Sequence, residues 1–531
     1  MPTLNWIGKE AVVNHHLQVP FHLLKDVPGL GCGDPGSGNL IVQGDNLVAL
    51  KALLPYYAGQ VKCIYIDPPY NTGNENWAYN DNVNSPIIRD WLGKTVGGEG
   101  ETLDRHDRWL CMMYPRLSLL RHLLREDGVI FISIDDSEYE RLKLIMNEIF
   151  GEPMHVATFI WKRRTTPDSR NLNGVSGDHE YVLCYQRSSG FRVHGQAKDL
   201  SKYSNPDDDP RGPWMSDNLT GLANAVERPN LHYDVIHPTT GVRYKPHPSR
   251  GWIYGRERMQ ELINDNRILW PKKAEGRPRL KRYVTDMQSS TTGLSTVLDA
   301  PGNVEATKEL SNLMGPKTFA FPKPSRLISL LISQATGPND LILDSFSGSG
   351  TTGHATLSAN QLDGGHRRFI LIEMESKIAR EITTERVRRV AEGYKNAKGE
   401  KIEGLGGGFR FCELGEPLFY KTGKIREYVS FDDLARHVYF TETGEPLPRE
   451  KQTTSPFLGE CRGVGIYLLY NGILGDKTAN GGNVLTRAIL AMLPKYDGQK
   501  VIYCAGCLLG RDRLQAERII VRQTPYEIKI S

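Results

Sequence analysis

The residues best suited to chemistry form one tetrapeptide, Asp67-Pro68-Pro69-Tyr70, which directly follows an apolar run from Val61 to Ile66. The two prolines fix the backbone and carry no N–H donors, so the Asp67 carboxylate and the Pro68 carbonyl form a rigid pair of acceptors. Tyr70 adds a flat ring for stacking. Two acceptors beside an aromatic face suit a planar ring that bears an amino group. The alternative is a strand that ends in a turn without chemistry.

A pair of acceptors can hold both N–H bonds of an amino group and direct its nitrogen lone pair at an electrophile. A methyl group on a sulfonium is such an electrophile, and it needs neither a metal nor a covalent intermediate. The protein must then supply in-line placement and a dry, acceptor-rich pocket, in which Asp67 polarises and orients the amino group. The sequence predicts no metal site, because the pair Cys504 and Cys507 has no second pair of ligands.

A second candidate site is a glycine-rich loop that runs from the apolar residues at Leu341 into a predicted helix. Gly348 and Gly350 allow close approach of a ligand, and the helix that begins at Thr351 and Thr352 favours an anionic group at its N-terminus. The spacing fits a nicotinamide-dinucleotide site as well as a methyl-donor site, and a structural turn is a third interpretation. A dehydrogenase has no evident use for the tetrapeptide at 67–70, so the two motifs together favour a methyl donor.

These motifs lie among short apolar runs that predict buried strands of a mostly parallel sheet, because such strands are covered on both faces. The predicted strands are 40–43, 61–66, 129–134, 341–343 and 369–372. Helical patterns at 110–124 and 139–150 alternate with them, which indicates an α/β doubly wound domain. Runs at 156–161 and 181–185 predict an edge hairpin. Residues 191–315 are polar and rich in Pro and Gly, which predicts a separate module, and 404–408 predicts a linker.

Length and composition limit the classes of protein to which the chain can belong. The 531 residues are 39% hydrophobic and 24% charged, with a net charge of +4, and this length predicts several domains. No apolar run reaches membrane-spanning length, and the N-terminus lacks the pattern of a signal peptide. The eight cysteines have no regular spacing, which favours a reducing, cytoplasmic location. These features predict a protein with no membrane partner.

The sequence resembles the β-class amino-methyltransferases of DNA, specifically the adenine-N6 modification subunits of type III restriction–modification systems. The tetrapeptide at 67–70 matches their catalytic motif and 346–350 matches their cofactor motif, in the permuted order with the catalytic motif first. Further matches lie at 44–47, 131–136, 321–324, 369–373 and 524–529. The resemblance covers most of the chain and is weakest at 191–315. One departure is Ser345-Phe346-Ser347, where these subunits more often have Phe-Phe-Ala, a small change in volume.

The resemblance implies a Rossmann-like methyltransferase fold with circularly permuted motif order and S-adenosylmethionine as cofactor. Its segments are an N-terminal extension (1–36), a catalytic half (37–190), a target-recognition domain (191–315), a cofactor-binding half (316–395) and a C-terminal domain (396–531). Glu373 binds the cofactor ribose and Asp45 lies near its adenine ring. The methionine moiety and ribose are lined by Asp344, Phe346, Gly348 and Gly350, with Thr351 and Thr352 at the helix start, and by the segment around Lys323 and Ser325.

The resemblance also implies that an adenine flips out of double-stranded DNA and stacks on Tyr70, since a stacked base cannot reach Asp67. The segment 71–108, with Trp77, Tyr79 and Trp91, is a candidate to close over it. Asp at position 67 favours adenine; N4 of cytosine, or an amino group of RNA or of a protein amide, are the alternatives. Basic clusters become candidate phosphate contacts, namely Lys162, Arg163, Arg164, Lys272, Lys273, Arg277, Arg279, Lys281 and Arg282.

A restriction subunit and a second copy of the chain are further partners that the resemblance implies. A DNA-binding subunit without catalysis is a rival interpretation, which the intact Asp67, Tyr70 and Glu373 disfavour. A nicotinamide oxidoreductase is a more distant one.

Overall fold

A computed structural model gives the architecture of the chain, and it describes residues 3–72, 86–96, 104–168, 174–273, 275–448, 455–475, 482–525 and 528. Contacts divide the chain into two compact units, one of residues 1–193 with 295–531 and one of residues 194–294. Among the described residues, no helix is both long enough and apolar enough to cross a lipid bilayer.

The part of the larger unit before residue 194 holds the tetrapeptide. Its helices are α1 (Lys9–Val12), α2 (His15–Gln18), α3 (Asn46–Tyr57), α4 (Pro86–Val96), α5 (Arg105–Leu123) and α6 (Tyr139–Phe150). Its strands are β1 (His22–Asp26), β2 (Leu40–Gln43), β3 (Val61–Ile66), β4 (Leu124–Ile134), β5 (His155–Lys162) and β6 (His179–Gln186). The predicted hairpin is confirmed, since β5 and β6 pair antiparallel.

The smaller unit, residues 194–294, is built of short strands. They are β7 (Gln196–Ala197), β8 (Trp214–Asn218), β9 (Val235–Ile236), β10 (Arg243–Tyr244), β11 (Ile268–Leu269), β12 (Arg279–Tyr283) and β13 (Thr291–Thr292), with one described α-helix, α7 (Arg256–Asn264). A core of its own surrounds the buried Trp252. This unit is shorter than the predicted module at 191–315, because residues 295–315 belong to the larger unit.

The larger unit resumes after residue 294 and holds the glycine loop. Its strands to residue 417 are β14 (Val297–Leu298), β15 (Leu341–Asp344), β16 (Arg368–Glu373), β17 (Gly393–Lys395), β18 (Lys401–Glu403) and β19 (Arg410–Pro417). Its helices are α8 (Asn303–Met314), α9 (Ser325–Ala335), α10 (Thr351–Asp363) and α11 (Thr384–Glu392), with a π-helical turn at Ile378–Thr383.

The C-terminal residues form α12 (Phe431–Thr443), α13 (Arg487–Met492) and α14 (Arg511–Ala516). They also form β20 (Phe457–Cys461), β21 (Val464–Leu468), β22 (Val484–Leu485), β23 (Gln499–Cys504), β24 (Gly506–Cys507) and β25 (Ile519–Gln523). Four of these strands pair as a second sheet in the order β20-β21-β23-β25.

The described strands include a ten-stranded sheet in the order β1-β19-β2-β16-β15-β3-β4-β6-β5-β14. The six central strands, β19 to β4, run parallel. Alternate side chains face opposite layers: Ile370 and Ile372 pack with the core that contains α3, α5 and α6, and Phe369 and Leu371 with the core of α10 and α11. Burial of both faces explains the continuous apolar runs, and the predicted α/β doubly wound, mostly parallel fold is confirmed.

Two outer strands of this sheet lie in segments that the sequence assigned to separate regions. Strand β19 pairs parallel with β2, and β1 pairs antiparallel with β19. Residues 22–26 and 410–417 therefore extend the sheet that carries the two motifs, although they lie in the predicted N-terminal extension and C-terminal domain.

Candidate active site

The tetrapeptide lies at the carboxyl end of β3, a central strand whose six residues are all buried. The neighbouring strands β4 and β15 run parallel to it, and open α/β sheets place ligands at this edge. The Trp109 indole of α5 donates a hydrogen bond to the Pro69 carbonyl at 2.6 Å. This bond anchors the tetrapeptide to α5, and the role of the Pro68 carbonyl as an acceptor stays a prediction.

Tyr70 is held by a carboxylate that the sequence analysis missed. Its hydroxyl donates to Glu180 Oε2 at 2.9 Å, and both residues are buried. Glu180 lies on β6, and its Oε1 accepts from Arg163 at 3.2 Å. An acidic residue directly before the predicted β run at 181–185 was the only signal in the sequence, and nothing in that run links it to a residue more than a hundred positions away.

Lys323 binds the carboxylate of Asp67. Its ammonium lies 2.8 Å from Oδ1 and 2.7 Å from Oδ2 of Asp67, and 3.5 Å from Oε2 of Glu180. Burial lowers the pKa of Lys323, but the two carboxylates outweigh that effect and raise it, so the side chain is an ammonium. Burial likewise raises the pKa of Asp67, and Lys323 opposes that rise. The contact in the structure is thus with the carboxylate of Asp67, and the predicted role of Lys323 toward the cofactor stays a prediction.

The glycine loop links β15 to α10 through two residues with positive φ, Gly348 at 49° and Gly350 at 77°. The Gly348 N–H donates to Glu373 Oε2 at 2.9 Å, which fixes the loop to the end of β16. Asp344, the last residue of β15, accepts from the Phe346 N–H at 3.0 Å and from the Thr352 hydroxyl at 2.5 Å. Burial raises the pKa of Asp344 to about 7.

The two motifs face one cavity. Its lining contains Asp67 and Lys323 on one side and the loop on the other, and the full set is Tyr65, Asp67, Phe319, Phe321, Pro322, Lys323, Ile328, Asp344, Phe346, Ser347, Gly348, Ser349, Thr351 and Thr352. Apart from the acidic pair Asp67 and Asp344 and the ammonium of Lys323, the lining is neutral. Segments of the chain more than 250 residues apart thus meet where a ligand could contact both.

Other predicted cofactor residues lie beside this cavity or form hydrogen bonds that stabilise neighbouring helices and loops. Glu373 is buried and also accepts from the Glu375 N–H at 2.8 Å. Asp45 caps α3 by accepting from the Leu47 N–H at 2.8 Å, and it pairs with the buried Arg116 at 3.3 Å. Ser325 begins α9, where its N–H donates to Glu309 at 3.2 Å. Their roles toward a cofactor stay predictions.

The chemistry of the loop fits a cofactor with a cationic and a polar part. The hydroxyl oxygens of Ser345 and Ser347 are buried with no hydrogen-bond partner in the described part of the chain. Buried polar groups are normally paired, so these two hydroxyls indicate a site for polar atoms of a ligand. The carboxylates of Asp344 and Glu373 stand at the same loop and suit a cation and ribose hydroxyls.

The candidate phosphate contacts of the larger unit differ in their exposure to solvent and in their ion pairs. Lys162 is exposed, whereas Arg163 is half-buried against Glu180 and Arg164 pairs with Asp168 at 2.6 Å. Arg386, which stands close to Arg388 and Arg389 in the sequence, is buried and donates to Ser349 and Thr351 at 2.9 and 2.7 Å. Arg163 and Arg386 therefore hold other residues of the site in place through hydrogen bonds and ion pairs. A run of basic residues in a sequence does not reveal that role.

In the smaller unit, the prediction of a phosphate contact for Lys281 is wrong. Lys281 is only 4% exposed and forms ion pairs with Asp207 and Asp209, so its ammonium is already neutralised inside the fold. Lys281 follows the core residue Leu280 in β12 and lies on the opposite face of the strand, where Asp207, Asp209 and the ring of Trp214 cover it. Lys272, Lys273 and Arg277 are exposed, and so are Arg279 beside Ser216 and Arg282, which pairs with Asp217. Those five remain predicted DNA contacts.

Trp77 and Tyr79, named as candidates to close over a substrate, lie outside the described residues. The Trp91 indole donates to His15 at 3.2 Å and its ring lies 5.6 Å from the Arg116 guanidinium. Trp91 thus packs on the scaffold.

The fold and the cavity define an α/β protein with two converging motifs at the carboxyl ends of parallel strands. Residues 61–384, which include both motifs, match the family model described as DNA methylase. The chain belongs to this family.

Named relatives extend this comparison. The chain is 34% identical over 67% of its length to the Mod subunit of the type III restriction-modification enzyme StyLTI from Salmonella typhimurium, and 31% identical over 70% to that of EcoP15I from Escherichia coli. These matches span 57% and 64% of the relatives' own lengths. The type II methyltransferase M.KpnI from Klebsiella pneumoniae is 31% identical over 75% of the chain and is matched over 98% of its own length.

Proposed function

We propose that the chain is a DNA methyltransferase that transfers a methyl group from S-adenosylmethionine to N6 of an adenine flipped out of double-stranded DNA. The observation that carries the proposal is the convergence of Asp67 and the loop at 346–352 on one cavity. An acceptor carboxylate on one wall and a glycine loop on the other are the two parts that in-line transfer to an amino group requires.

Asp67 and Tyr70 serve the target base. Asp67 accepts an N–H of the amino group, so that the nitrogen lone pair is directed across the cavity, and the burial around Asp67 strengthens this polar contact. The proton becomes acidic only as the new C–N bond forms, and in this proposal Asp67 receives it. Tyr70 offers its ring for stacking, which offsets part of the few kcal/mol that base flipping costs.

Asp344, Glu373 and the Ser345 and Ser347 hydroxyls serve the cofactor. S-adenosylmethionine supplies a methyl group that is already activated by its positive sulfur. In this proposal Glu373 accepts from ribose hydroxyls, and Asp344 faces positive charge. The N-terminus of α10 adds partial positive charge and N–H donors, which suit a carboxylate.

The relatives support a place in a restriction–modification system. Two of those named above are Mod subunits of type III enzymes, so we propose a restriction subunit as a partner of this chain. We also propose residues 194–294 as the core of the target-recognition domain, with Lys272, Lys273, Arg277, Arg279 and Arg282 on DNA phosphates. A homodimer is a proposal that rests on the resemblance alone.

Transfer of label from tritiated S-adenosylmethionine tests the proposed function. The protein is incubated with DNA, RNA and a protein mixture together, and the three fractions are then separated and counted. The proposal predicts label in the double-stranded DNA. Label confined to RNA or protein, or no label in any fraction, would contradict it.

A further inference from the structure

We propose that Glu180 is a positioning residue that receives the Lys323 ammonium when Asp67 releases it to bind the target amino group. The inference rests on the proposed function and adds a residue that lies in neither motif. It explains how a carboxylate that is fully engaged in the protein alone becomes available to a substrate.

The Lys323 ammonium occupies the contacts that a target amino group needs. Its nitrogen lies 2.8 and 2.7 Å from the two Asp67 oxygens and 4.9 Å from the centre of the Tyr70 ring. An adenine that stacks on Tyr70 and donates an N–H to Asp67 competes for the same place. At least one Asp67 oxygen must therefore lose its bond to Lys323 before the amino group can bind.

Lys323 cannot simply move without a partner, because its side chain is only 6% exposed. A buried ammonium without a carboxylate is strongly destabilising. Glu180 Oε2 lies 3.5 Å away, in a residue that is itself 3% exposed. A small displacement of the ammonium thus exchanges one buried carboxylate for another, and the charge stays paired throughout.

Glu180 is held in place to act as that second partner. Tyr70 donates to its Oε2 and Arg163 to its Oε1, so the carboxylate is fixed from two sides. Tyr70 also belongs to the proposed target site, which couples the position of Glu180 to the presence of the base. The Arg163 contact explains why a cation of a predicted DNA-binding cluster points into the protein.

A double-mutant cycle with Glu180→Gln and Lys323→Met tests the inference. Gln keeps the size of Glu180 and an oxygen that accepts from Tyr70, but it removes the charge. Met keeps most of the length of Lys323 without an ammonium. The exposed Glu152→Gln is the matched control for loss of a carboxylate. Initial rates are measured on whole-genome-amplified, unmethylated DNA with saturating cofactor, and cofactor affinity is measured by calorimetry.

We expect Glu180→Gln alone to slow methyl transfer by roughly tenfold or more, the loss typical of one charged hydrogen bond, because Lys323 then stays on Asp67. Its Kd for S-adenosylmethionine should stay within about twofold of the wild-type value, since Glu180 does not line the loop. In the Lys323→Met background, Glu180→Gln should change the rate by less than about twofold, because no ammonium remains to be received.

The outcomes separate the two proposals. A wild-type protein that transfers no methyl group to DNA would overturn the proposed function. An active wild-type protein would overturn the inference alone if Glu180→Gln were as fast as Glu152→Gln. The inference would also be overturned if the rate losses of the two single variants multiplied in the double variant. A loss of cofactor affinity large enough to account for the slower rate would overturn it as well. Either result would give Glu180 a general structural role.

Discussion

Two carboxylates line the cavity, and their surroundings differ. Asp67 faces the Lys323 ammonium at hydrogen-bond distance, whereas Asp344 accepts hydrogen bonds from Thr352 and a backbone N–H. Burial raises the pKa of both, and that of Asp344 reaches about 7. Of the two, Asp344 is therefore the carboxyl whose charge changes near neutral pH, and its negative charge would attract a cationic ligand.

Asp344 predicts a pH dependence of cofactor binding. From its ordinary pKa of 3.8 up to about 7, the folded chain keeps a proton that the unfolded chain has released. Protonated Asp344 therefore stabilises the folded chain fully at pH values below 3.8. That contribution to stability is lost as the pH rises through about 7. A positive sulfonium favours the ionised form, so affinity for S-adenosylmethionine should rise with pH, by at most about tenfold per unit below pH 7.

Calorimetric titrations between pH 6 and pH 8 check this expectation. Asp344→Asn is the control, because the amide cannot titrate, and it should remove the part of the pH dependence that the carboxylate causes. The same pH slope in the variant and the wild-type protein would contradict the role given to Asp344.

Residue chemistry was predictable from the sequence only where a motif carried it. The order Asp-Pro-Pro-Tyr after a buried strand made Asp67 and Tyr70 candidates, because few structures need that combination. The contact of the Lys323 ammonium with Asp67 was not predicted, and the role of Lys323 toward the cofactor stays a prediction. Glu180 was missed, because its contacts with Tyr70 and Lys323 join residues that only the tertiary fold brings together.

At the scale of elements, the turn from β15 into α10 depends on glycine conformation. Gly350 is the N-cap of α10 with a φ of 77°, and a Cβ there would lie 3.1 Å from the Thr383 carbonyl oxygen. Gly364, the C-cap of the same helix, has a φ of 69° and no neighbouring atom within 4 Å of such a Cβ. Both glycines adopt a left-handed backbone conformation, but only at Gly350 would a Cβ also come close to neighbouring atoms.

Alanine substitution at these two glycines separates the cost of a left-handed backbone from the cost of a close contact with Thr383. Each variant should lose about 1 kcal/mol of stability from the left-handed backbone. Gly350→Ala should lose more than Gly364→Ala, and only Gly350→Ala should weaken cofactor binding, since the loop must shift away from Thr383. Chemical denaturation and calorimetry measure both effects. Equal losses of stability with unchanged cofactor affinity would show that Gly350 is no more than a turn.

Elements with continuous apolar sequence were predictable, and those that depend on distant pairing were not. The runs at 61–66 and 369–372 fall within β3 and β16, because burial on both faces of a parallel sheet leaves a local pattern. Strand β19 lies after a glycine-rich stretch that predicted a linker, and it pairs with β1 almost 400 positions earlier. No local signal in either segment specifies that partner.

At the scale of the whole molecule, the basic residues of the smaller unit have two different roles. Lys281 is enclosed by Asp207 and Asp209, whereas Lys272, Lys273 and Arg277 are exposed. Charge in a sequence is thus a guide to DNA contact only after burial has been taken into account.

Lys281→Ala should destabilise residues 194–294, because it removes the buried ammonium that pairs with Asp207 and Asp209, although Arg211 still binds Asp209. Lys272→Ala should leave stability unchanged. It should weaken DNA binding across all sequences and lower the slope of log affinity against log salt by about 1, as expected for one lost phosphate contact. Hydrogen exchange and salt-dependent binding measure these effects. Unchanged exchange in Lys281→Ala would contradict its packing role, and an unchanged salt slope in Lys272→Ala would remove that residue from the interface.

The central claim is that Asp67 directs a target amino group toward a methyl donor in the cavity that it shares with the glycine loop. The most direct test compares wild-type protein with Asp67→Asn by mass spectrometry of nucleosides from treated DNA. We expect N6-methyladenine with the wild-type protein and at least about a thousandfold less with Asp67→Asn, although the variant should bind S-adenosylmethionine with nearly wild-type affinity. N4-methylcytosine as the product would contradict the assignment of adenine, and full activity of Asp67→Asn would contradict the site itself.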